Sequence, residues 1–509
     1  MTRTTAIRAA DFTASVGVNA SINYTDGKYV NIQNVLSDLN YIGVSLIRTA
    51  AYWVGMQGQA AYNLAASKGI RFDMLLYTNN TLANSIAQMS SFSAAHPGAL
   101  VAIEGPNEIN NFGASYKGMT GAAAAVAFQN DLYAGIRADK VLKATTVYSY
   151  TMNAGASSTT GYDYAAIHPY GRKGLPPLSY LKGDMASIPG NKPFAVTETG
   201  YSTLTTNIDG VDPLVQAKYD LDMIFDAKKA GASTVFLYEL LDAYADPNGT
   251  DPGKHYGLFD YGNAPKPIAT ALHNLMQILG DSAASAGSFT TGVLDYTIFG
   301  ADKTASNYLM QKSSGVFDLV VWNEQTIWNA TTKTEVAAVP DKETIRFARV
   351  QETVKVYDPL AGTDPIKVWH NVSQITVTVT DHPLVVEVTK IASQTNAINA
   401  SRGMATIHAT AKGSVIVGGP GDQLYAGAGA DTFVFHKGFG HEDVFDFDAL
   451  SAKHDTVQFD SSLFADYAAV TAAMHQVGSD VVITHDAAQS VVLHDVSLSA
   501  LSAADFLLL

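Results

Sequence analysis

The first 280 or so residues alternate short apolar segments with longer segments whose apolar residues fall at helical spacing. The short segments number eight, and the last helical pattern runs from Pro265 to Leu279. The predicted strands begin at Ser15, Val44, Phe72, Val101, Ala144, Tyr164, Phe194 and Thr234. Eight β/α units in this length suffice to close a barrel. Residues 1–280 are therefore predicted to be an α/β domain, a (β/α)8 TIM barrel.

Two of the predicted strands end in a glutamate. The fourth stops at Gly105-Pro106 and is followed by Asn107-Glu108, and the seventh ends at Glu198. Active sites of such barrels lie at the carboxyl ends of the strands, so the two acids are expected at one rim. A single acid there would indicate only a solvated strand end. Two can flank one glycosidic bond, one as a proton donor with a raised pKa and one as an ionised nucleophile.

These motifs resemble the glycoside hydrolases of clan A, and the domain arrangement resembles family 39. The resemblance covers about the first 280 residues. It implies that Glu108 is the acid/base, that Glu198 is the nucleophile and that Asn107 donates a hydrogen bond to the sugar 2-hydroxyl. It also implies that the anomeric configuration is retained through double displacement.

Three further residues take supporting roles by the same resemblance, while simpler interpretations stay open. Arg48, at the end of strand two, would keep the nucleophile ionised, or it balances buried acids. His168 and Tyr170 resemble the His-x-Tyr of strand six, where the tyrosine bonds the nucleophile; a structural histidine is the alternative. Glu104 is interpreted as an inward-pointing structural residue.

Strand eight departs from the clan, because Tyr238-Glu239 stands where a tryptophan usually meets the substrate. Both residues are candidates for sugar contact. Other aromatic residues near strand exits would form sugar platforms or pack in the core: Tyr52, Trp53, Tyr77, Tyr116 and Tyr201. Arg172 and Lys173, after strand six, would bind an acidic sugar or form a solvated charge pair.

Beyond residue 280 the pattern changes to short strands with period-two alternation. Examples are Phe317 to Trp322, Val354 to Tyr357 and Ile375 to Thr380. Residues 281–390 are therefore predicted to be an antiparallel β-sandwich. Its expected role is structural, and carbohydrate binding through Trp328 and Trp369 is the alternative.

Residues 391–509 are rich in Gly, Ala, Asp and Ser. Two Gly-rich stretches, residues 418–425 and 426–433, resemble the calcium-binding nonapeptide of RTX proteins. That resemblance implies an RTX-like β-roll in which Asp431 ligates Ca²⁺ as a structural ion. Asp422 is a second candidate ligand, although its repeat is one residue short. The alternative is a Gly-rich linker, which the strand patterns at residues 481–483 and 491–493 disfavour.

Composition narrows the function classes. The chain has no Cys, so thiolate nucleophiles and disulfide frameworks are excluded. A net charge of -15 opposes nucleic-acid binding, and no apolar run suits a signal peptide or membrane insertion. Residues 501–509 resemble the uncleaved signal of type I secretion substrates, which predicts an extracellular protein and the type I machinery as a partner.

The predicted function is that of a secreted retaining β-glycosidase that cuts inside a polysaccharide chain and needs no cofactor for catalysis. An exo-acting, β-xylosidase-like enzyme is one alternative. A non-catalytic carbohydrate-binding matrix protein with an inactive barrel is another.

Overall fold

All eight predicted barrel strands are present in the computed structural model, which describes residues 2–51, 58–78, 81–152, 160–390 and 397–509. The strands are β1 Val16–Asn19, β2 Leu46–Ala50, β3 Arg71–Leu75, β4 Leu100–Glu104, β5 Thr146–Tyr148, β6 Ala165–Ile167, β7 Phe194–Thr199 and β8 Val235–Leu237. Their order is β6-β7-β8-β1-β2-β3-β4-β5, with every pair parallel. A parallel bridge between Tyr148 and Tyr164 joins the two ends, so the sheet forms a nearly closed TIM barrel.

Helices surround the strands where the apolar spacing places them. They are Ala9–Thr13, Ile32–Ile42, Gly58–Ser67, Leu82–Ala95, Ile109–Phe112, Gly121–Ala138, Leu178–Ala186, Pro213–Lys229 and Pro267–Ile278. Pro213–Lys229 shows how the sequence sets a helix start. The Asp212 side chain accepts the amide of Leu214 at 2.8 Å, and Pro213 takes the first helical position, where its missing N–H costs nothing.

An antiparallel β domain follows the barrel. Its strands are Val293–Phe299, Ala305–Gln311, Phe317–Asn323, Asp341–Tyr357, Lys367–Val379 and Leu384–Lys390, with a hairpin of Trp328–Asn329 and Thr334–Glu335. The long strand Asp341–Tyr357 shifts register between Arg346 and Gln351. Its first half pairs with Val293–Phe299 and its second half with Leu384–Lys390, so it contributes to both layers of a sandwich.

The first residues of the chain belong to this sandwich by pairing. Thr2–Thr5 runs antiparallel to Val293–Phe299, and Ile7–Arg8 runs parallel to Ala305–Gln311. Sequence patterning assigned them to the barrel unit of residues 1–280. The sandwich therefore combines an N-terminal segment with residues 293–390.

The C-terminal region contains two sheets of parallel strands that alternate along the chain. One holds Ala397–Asn399, Val415–Val417, Thr432–Phe435, Thr456–Phe459 and Phe506–Leu508; the other begins with Thr406–His408, Gln423–Tyr425, His441–Phe445 and Gln489–Leu493. Asp480–Asp486 pairs antiparallel with Gln489–Leu493, Met474–Val477 pairs antiparallel with Asp480–Asp486, and the helix Tyr467–Ala473 precedes both strands. Successive turns of the chain therefore add parallel strands alternately to the two sheets, and this arrangement is called the roll below.

Aspartates join consecutive turns of this roll. Asp422 accepts one backbone N–H from Gly419, in its own turn, and one from Ala405, both at 2.8 Å. Asp431 repeats the arrangement with Gly427 at 2.7 Å and Ser414 at 2.5 Å. Both carboxyl groups are 1% exposed. Each carboxylate therefore satisfies two backbone amides that would otherwise lack an acceptor.

We predict that Asp431→Asn destabilises the protein by about 1.5–3 kcal/mol, because an amide offers one acceptor oxygen where the carboxylate uses two. The unfolding midpoint of the variant, followed by circular dichroism, measures the loss. The exposed Asp446, changed to Asn, is the matched control. An unchanged midpoint for Asp431→Asn would mean that the carboxylate is dispensable for this turn.

Candidate active site

A cavity of about 480 Å³ opens at the carboxyl ends of the barrel strands. Four asparagines face it, namely Asn19, Asn23, Asn107 and Asn111. Its aromatic residues are Tyr24, Tyr77, Phe112, Tyr170, Tyr238 and Tyr256. Glu108 and Glu198 both line the cavity, so the two predicted acids share one pocket. Amides, aromatic faces and carboxylates together are the groups that bind hydroxylated rings.

Glu108 is turned into the pocket by the backbone after β4. Gly105 is required at this exit, because a Cβ there would overlap the side chain of Gln129 and the backbone of Tyr150. Glu108 itself adopts a left-handed backbone with φ of 37°, and its N–H donates to Oγ1 of Thr151 at 2.9 Å. The strained backbone directs the carboxyl group into the cavity at the start of the helix Ile109–Phe112.

Glu198 lies near the end of β7 and is held by two donors. Arg48 donates from Nη1 to Oε1 at 2.6 Å, and the Tyr170 hydroxyl donates to Oε2 at 2.6 Å. The residue is 6% exposed. Arg48 and Tyr170 therefore hold the Glu198 carboxylate in place at the cavity.

Arg48 connects Glu198 to the rest of the barrel rim. Its guanidinium makes a bidentate pair with Glu104, through Nε at 2.6 Å and Nη2 at 2.9 Å. It also donates to Oδ1 of Asn19 at 3.0 Å and to Oδ1 of Asn107 at 2.7 Å. Since the Asn107 oxygen is taken by Arg48, its amide NH₂ is the group left for a ligand. Glu104 is fully buried in this network and takes the structural role predicted for it.

His168 lies between the two acids. Its Nδ1 is 3.0 Å from Oε1 of Glu108 and 3.6 Å from Oε2 of Glu198. Its Nε2 is 3.0 Å from Oγ1 of Thr197, which fixes the ring plane. Oxygen atoms of Glu108 and Glu198 lie within 4.8 Å of one another. The site thus places two carboxyl groups close enough to act on one bond, with a histidine touching both.

The pKa of Glu108 differs from the expectation for a proton donor. Burial raises it, but the hydrogen bonds from His168 and Asn111 lower it by more, and the net shift is downward. The Asn111 amide donates to Oε2 at 2.7 Å. The prediction of a raised pKa for this carboxyl group is therefore wrong for the site as it stands, because two donors stabilise the charged form.

The two residues that follow β8, Tyr238 and Glu239, point in different directions. Tyr238 lines the cavity, and its ring packs edge-on to Tyr170 and Tyr256, with centroids 6.0 Å and 5.6 Å away. Glu239 lies outside the cavity lining and is 7% exposed. The Tyr29 hydroxyl donates to its Oε2 at 2.9 Å. Sugar contact by Glu239 is therefore not supported, since its side chain turns into the barrel wall.

The other aromatic residues predicted as sugar platforms differ in position. Tyr77 lines the cavity. Tyr116 instead donates to Asp131 at 2.9 Å, and the buried Tyr201 donates to the carbonyl of Leu175 at 2.7 Å, so both are structural. Tyr52 and Trp53 lie outside the described residues.

Sequence reasoning missed several lining residues, among them Tyr24, Asn111, Phe112 and Tyr256. Asn111 and Phe112 follow Glu108 by three and four residues, a spacing that returns a helical side chain to the same face. That signal was available in the sequence. Tyr24 and Tyr256 lie in loops, where no periodicity indicates which way a side chain points.

Comparison of structures identifies the architecture. A family 39 glycoside hydrolase from Bacteroides cellulosilyticus WH2 aligns with a TM-score of 0.50 at 15% identity, covering 75% of this chain and 82% of that one. The chain has a family 39-like fold. A monomeric β-xylosidase from Caulobacter crescentus CB15 has a TM-score of 0.49 at 14% identity, covering 76% and 98%. The family 39 enzyme from Xanthomonas axonopodis pv. citri has a TM-score of 0.48 at 12% identity, covering 76% of this chain and 96% of that one.

At these identities the likeness is one of fold, and it spans the barrel and a sandwich. No protein-family model and no curated protein matches the sequence. In the described part of the chain, no helix has the length and apolarity to cross a bilayer.

The side chains that could ligate a metal ion lie at the cavity and in the roll. Among the described residues, Glu108, His168 and Glu198 are the one cluster of three or more acidic or histidine side chains close enough to share an ion. Arg48 already pairs with Glu198, and its positive charge opposes a cation there. In the roll, both oxygens of Asp422 and of Asp431 are taken up by backbone amides. Calcium ligation by Asp422 and Asp431 stays a prediction from the sequence.

Arg172 lines the cavity and lies 3.9 Å from Asp209, which partly offsets its charge. Lys173 is not part of the lining; its backbone N–H donates to the same aspartate at 3.1 Å. Of the two cations proposed to meet an acidic sugar, Arg172 alone is positioned at the pocket.

Glu239 generates a pH prediction. Burial, followed by the charges of Asp242 and Glu198, raises the pKa of Glu239 from 4.5 to about 8, although the hydrogen bond from Tyr29 lowers it. Below about pH 4.5 the carboxyl group of Glu239 is protonated in both the folded and the unfolded chain. As the pH rises toward 8 only the unfolded chain ionises freely, so the folded state loses stability relative to it.

We therefore expect Glu239→Gln to gain stability relative to the wild-type protein as the pH rises, by up to about 5 kcal/mol above about pH 8. Melting temperatures of both proteins across this range measure the difference. Glu352→Gln, at an exposed position, is the control and should show no such trend. A constant difference between about pH 5 and 9 would show that Glu239 is already ionised in the fold.

Proposed function

We propose that the protein is a retaining β-glycosidase that hydrolyses a polysaccharide by double displacement. One observation carries the proposal: the carboxyl groups of Glu108 and Glu198 face one polar cavity with oxygen atoms within 4.8 Å of one another. Retaining enzymes place their two carboxyl groups about 5–5.5 Å apart, whereas inverting enzymes leave about 6.5–9.5 Å for a water molecule. The close spacing therefore supports direct attack by one carboxylate.

In the first step Glu198 attacks the anomeric carbon and Glu108 gives its proton to the departing oxygen, which leaves a covalent glycosyl ester on Glu198. In the second step Glu108 removes a proton from water, and the hydroxide oxygen displaces Glu198 from the anomeric carbon. Arg48 and Tyr170 donate hydrogen bonds to Glu198 and orient it for attack. The Asn107 amide is placed to donate to a sugar hydroxyl.

Variants of Glu198 and Glu108 should lose activity in different ways, because the two acids have different roles. Glu198→Ala should abolish release of reducing ends from a panel of exopolysaccharides and plant glucans or xylans, a loss of at least about 10⁴-fold. Glu108→Ala should retain turnover of activated aryl glycosides, whose departing group needs little protonation. Added azide should restore turnover in both, giving glycosyl azides of opposite anomeric configuration.

Product anomers are read by NMR, and Glu352→Ala, at an exposed position, serves as the control. Inverted products from the wild-type protein would contradict double displacement. Polysaccharide binding without hydrolysis would instead identify a carbohydrate-binding matrix protein. Product sizes followed over time distinguish the proposed cutting inside the chain, which yields intermediate lengths early, from exo release of single sugars.

Export by the type I route and a structural calcium ion stay predictions from the C-terminal sequence. The parallel roll is compatible with both, since stacked Gly-rich turns are common to calcium-binding rolls. Deleting residues 501–509 should stop export from a host that carries a type I exporter, and a cytosolic marker controls for lysis. Continued export would overturn the secretion proposal.

The midpoint experiment on Asp431→Asn also addresses calcium when a chelator is included. A midpoint of the wild-type protein that falls with chelator and recovers with added Ca²⁺ would support the ion, because a ligand of the folded state stabilises it. A midpoint that stays unchanged would leave the backbone amides as the partners of these carboxylates.

A further inference from the structure

Phe112 has an unusual position for a large apolar side chain. It is 67% exposed, more than any other Phe, Tyr or Trp in the described ranges, and it lies at the edge of the catalytic cavity. Exposure of such a ring to water forfeits the hydrophobic stabilisation that burial would give. Aromatic side chains that line a pocket are common contacts for a ligand.

The ring is fixed relative to Glu108. The backbone N–H groups of Asn111 and Phe112 donate to the Glu108 carbonyl at 2.7 Å and 3.0 Å, which closes the one-turn helix Ile109–Phe112. At the start of that turn Ile109 is buried against Ala125 and Tyr150. The acid and the ring therefore belong to one rigid turn, and wherever Glu108 meets its substrate, Phe112 lies beside it.

The proposed reaction indicates which part of the substrate lies next to the Phe112 ring. Glu108 protonates the oxygen that departs, so the sugar attached through that oxygen lies on the Glu108 side of the cleaved bond. The C–H face of a pyranose ring packs well on the flat face of an aromatic side chain, since both surfaces are apolar. A group without such a face would gain little from Phe112.

We propose that Phe112 is the stacking platform for the first sugar on the leaving-group side of the cleaved bond. The substrate is then a chain in which another sugar occupies this side, rather than a glycoside with a small departing group. The inference rests on the proposed hydrolase function and names the substrate class of the same site.

The test compares two substrates of the same sugar. One is an oligosaccharide of the polymer that the wild-type protein cleaves; the other is the β-glycosyl fluoride, whose departing group has no ring. Phe112→Ala should lower kcat/KM for the oligosaccharide about tenfold and change that for the fluoride less than about twofold. Phe112→Trp should retain most of the oligosaccharide activity. Phe299→Ala is the control, since Phe299 is also exposed, at 47%, but lies in the sandwich.

Other outcomes overturn the proposal. Equal losses on both substrates would mean that Phe112 only supports the turn that carries Glu108, and an unchanged oligosaccharide kcat/KM would mean that no sugar stacks there. Calorimetric binding of the same oligosaccharides to Glu198→Gln, with and without Phe112→Ala, separates this inference from the proposed function. Phe112-dependent binding by a wild-type protein that hydrolyses nothing would refute the hydrolase, and with it the leaving-group side, while showing that a sugar stacks on Phe112.

Discussion

The site is organised around one buried guanidinium. Arg48 is 2% exposed and contacts β1, β4 and β7 through Asn19, Glu104 and Glu198. Taking such a charge out of water is costly unless its hydrogen bonds are satisfied. Burial alone would lower the pKa of Arg48, yet Glu104 and then Glu198 hold it well above its ordinary value. Glu104 takes the bidentate pair and leaves a single N–H for Glu198, so the proposed nucleophile is fixed in place while one of its oxygens stays available to the Tyr170 hydroxyl and the cavity.

The sandwich supports this arrangement from outside the barrel. Trp328, which the sequence offered as a possible surface aromatic, is 4% exposed and packs with Tyr201 and Tyr219. Tyr201 follows β7, the strand that carries Glu198. Tyr219 lies on the buried helix Pro213–Lys229. Further along that helix, Asp226 accepts the indole N–H of Trp322 at 3.0 Å. The Pro213–Lys229 helix is thus bonded to the sandwich through Asp226, which favours a structural role for that domain over carbohydrate binding.

Much of this was predictable from sequence because barrel strands and their exits follow simple rules. Apolar runs locate the eight strands, and the barrel rule then brings Glu108, Glu198 and Arg48 to one rim. Side-chain direction beyond a strand end was not predictable. Tyr238 and Glu239 are neighbours in sequence, yet one faces the cavity and the other bonds Tyr29. The roll shows the same limit: spacing located Asp422 and Asp431, but only the fold shows that backbone amides of the preceding turn reach both carboxylates.

The lowered pKa of Glu108 bears on how the site would reach its reactive state. The donors that lower it, His168 and Asn111, bond Oε1 and Oε2 respectively, and Glu108 itself lines the cavity. A sugar chain that fills the cavity excludes water from the carboxylate, and lost solvation raises the pKa of an acid. With a sugar on Phe112 the same chain would cover Glu108 from the leaving-group side. The proton donor would then be prepared by binding of the substrate itself, which ties acid strength to occupancy of the site.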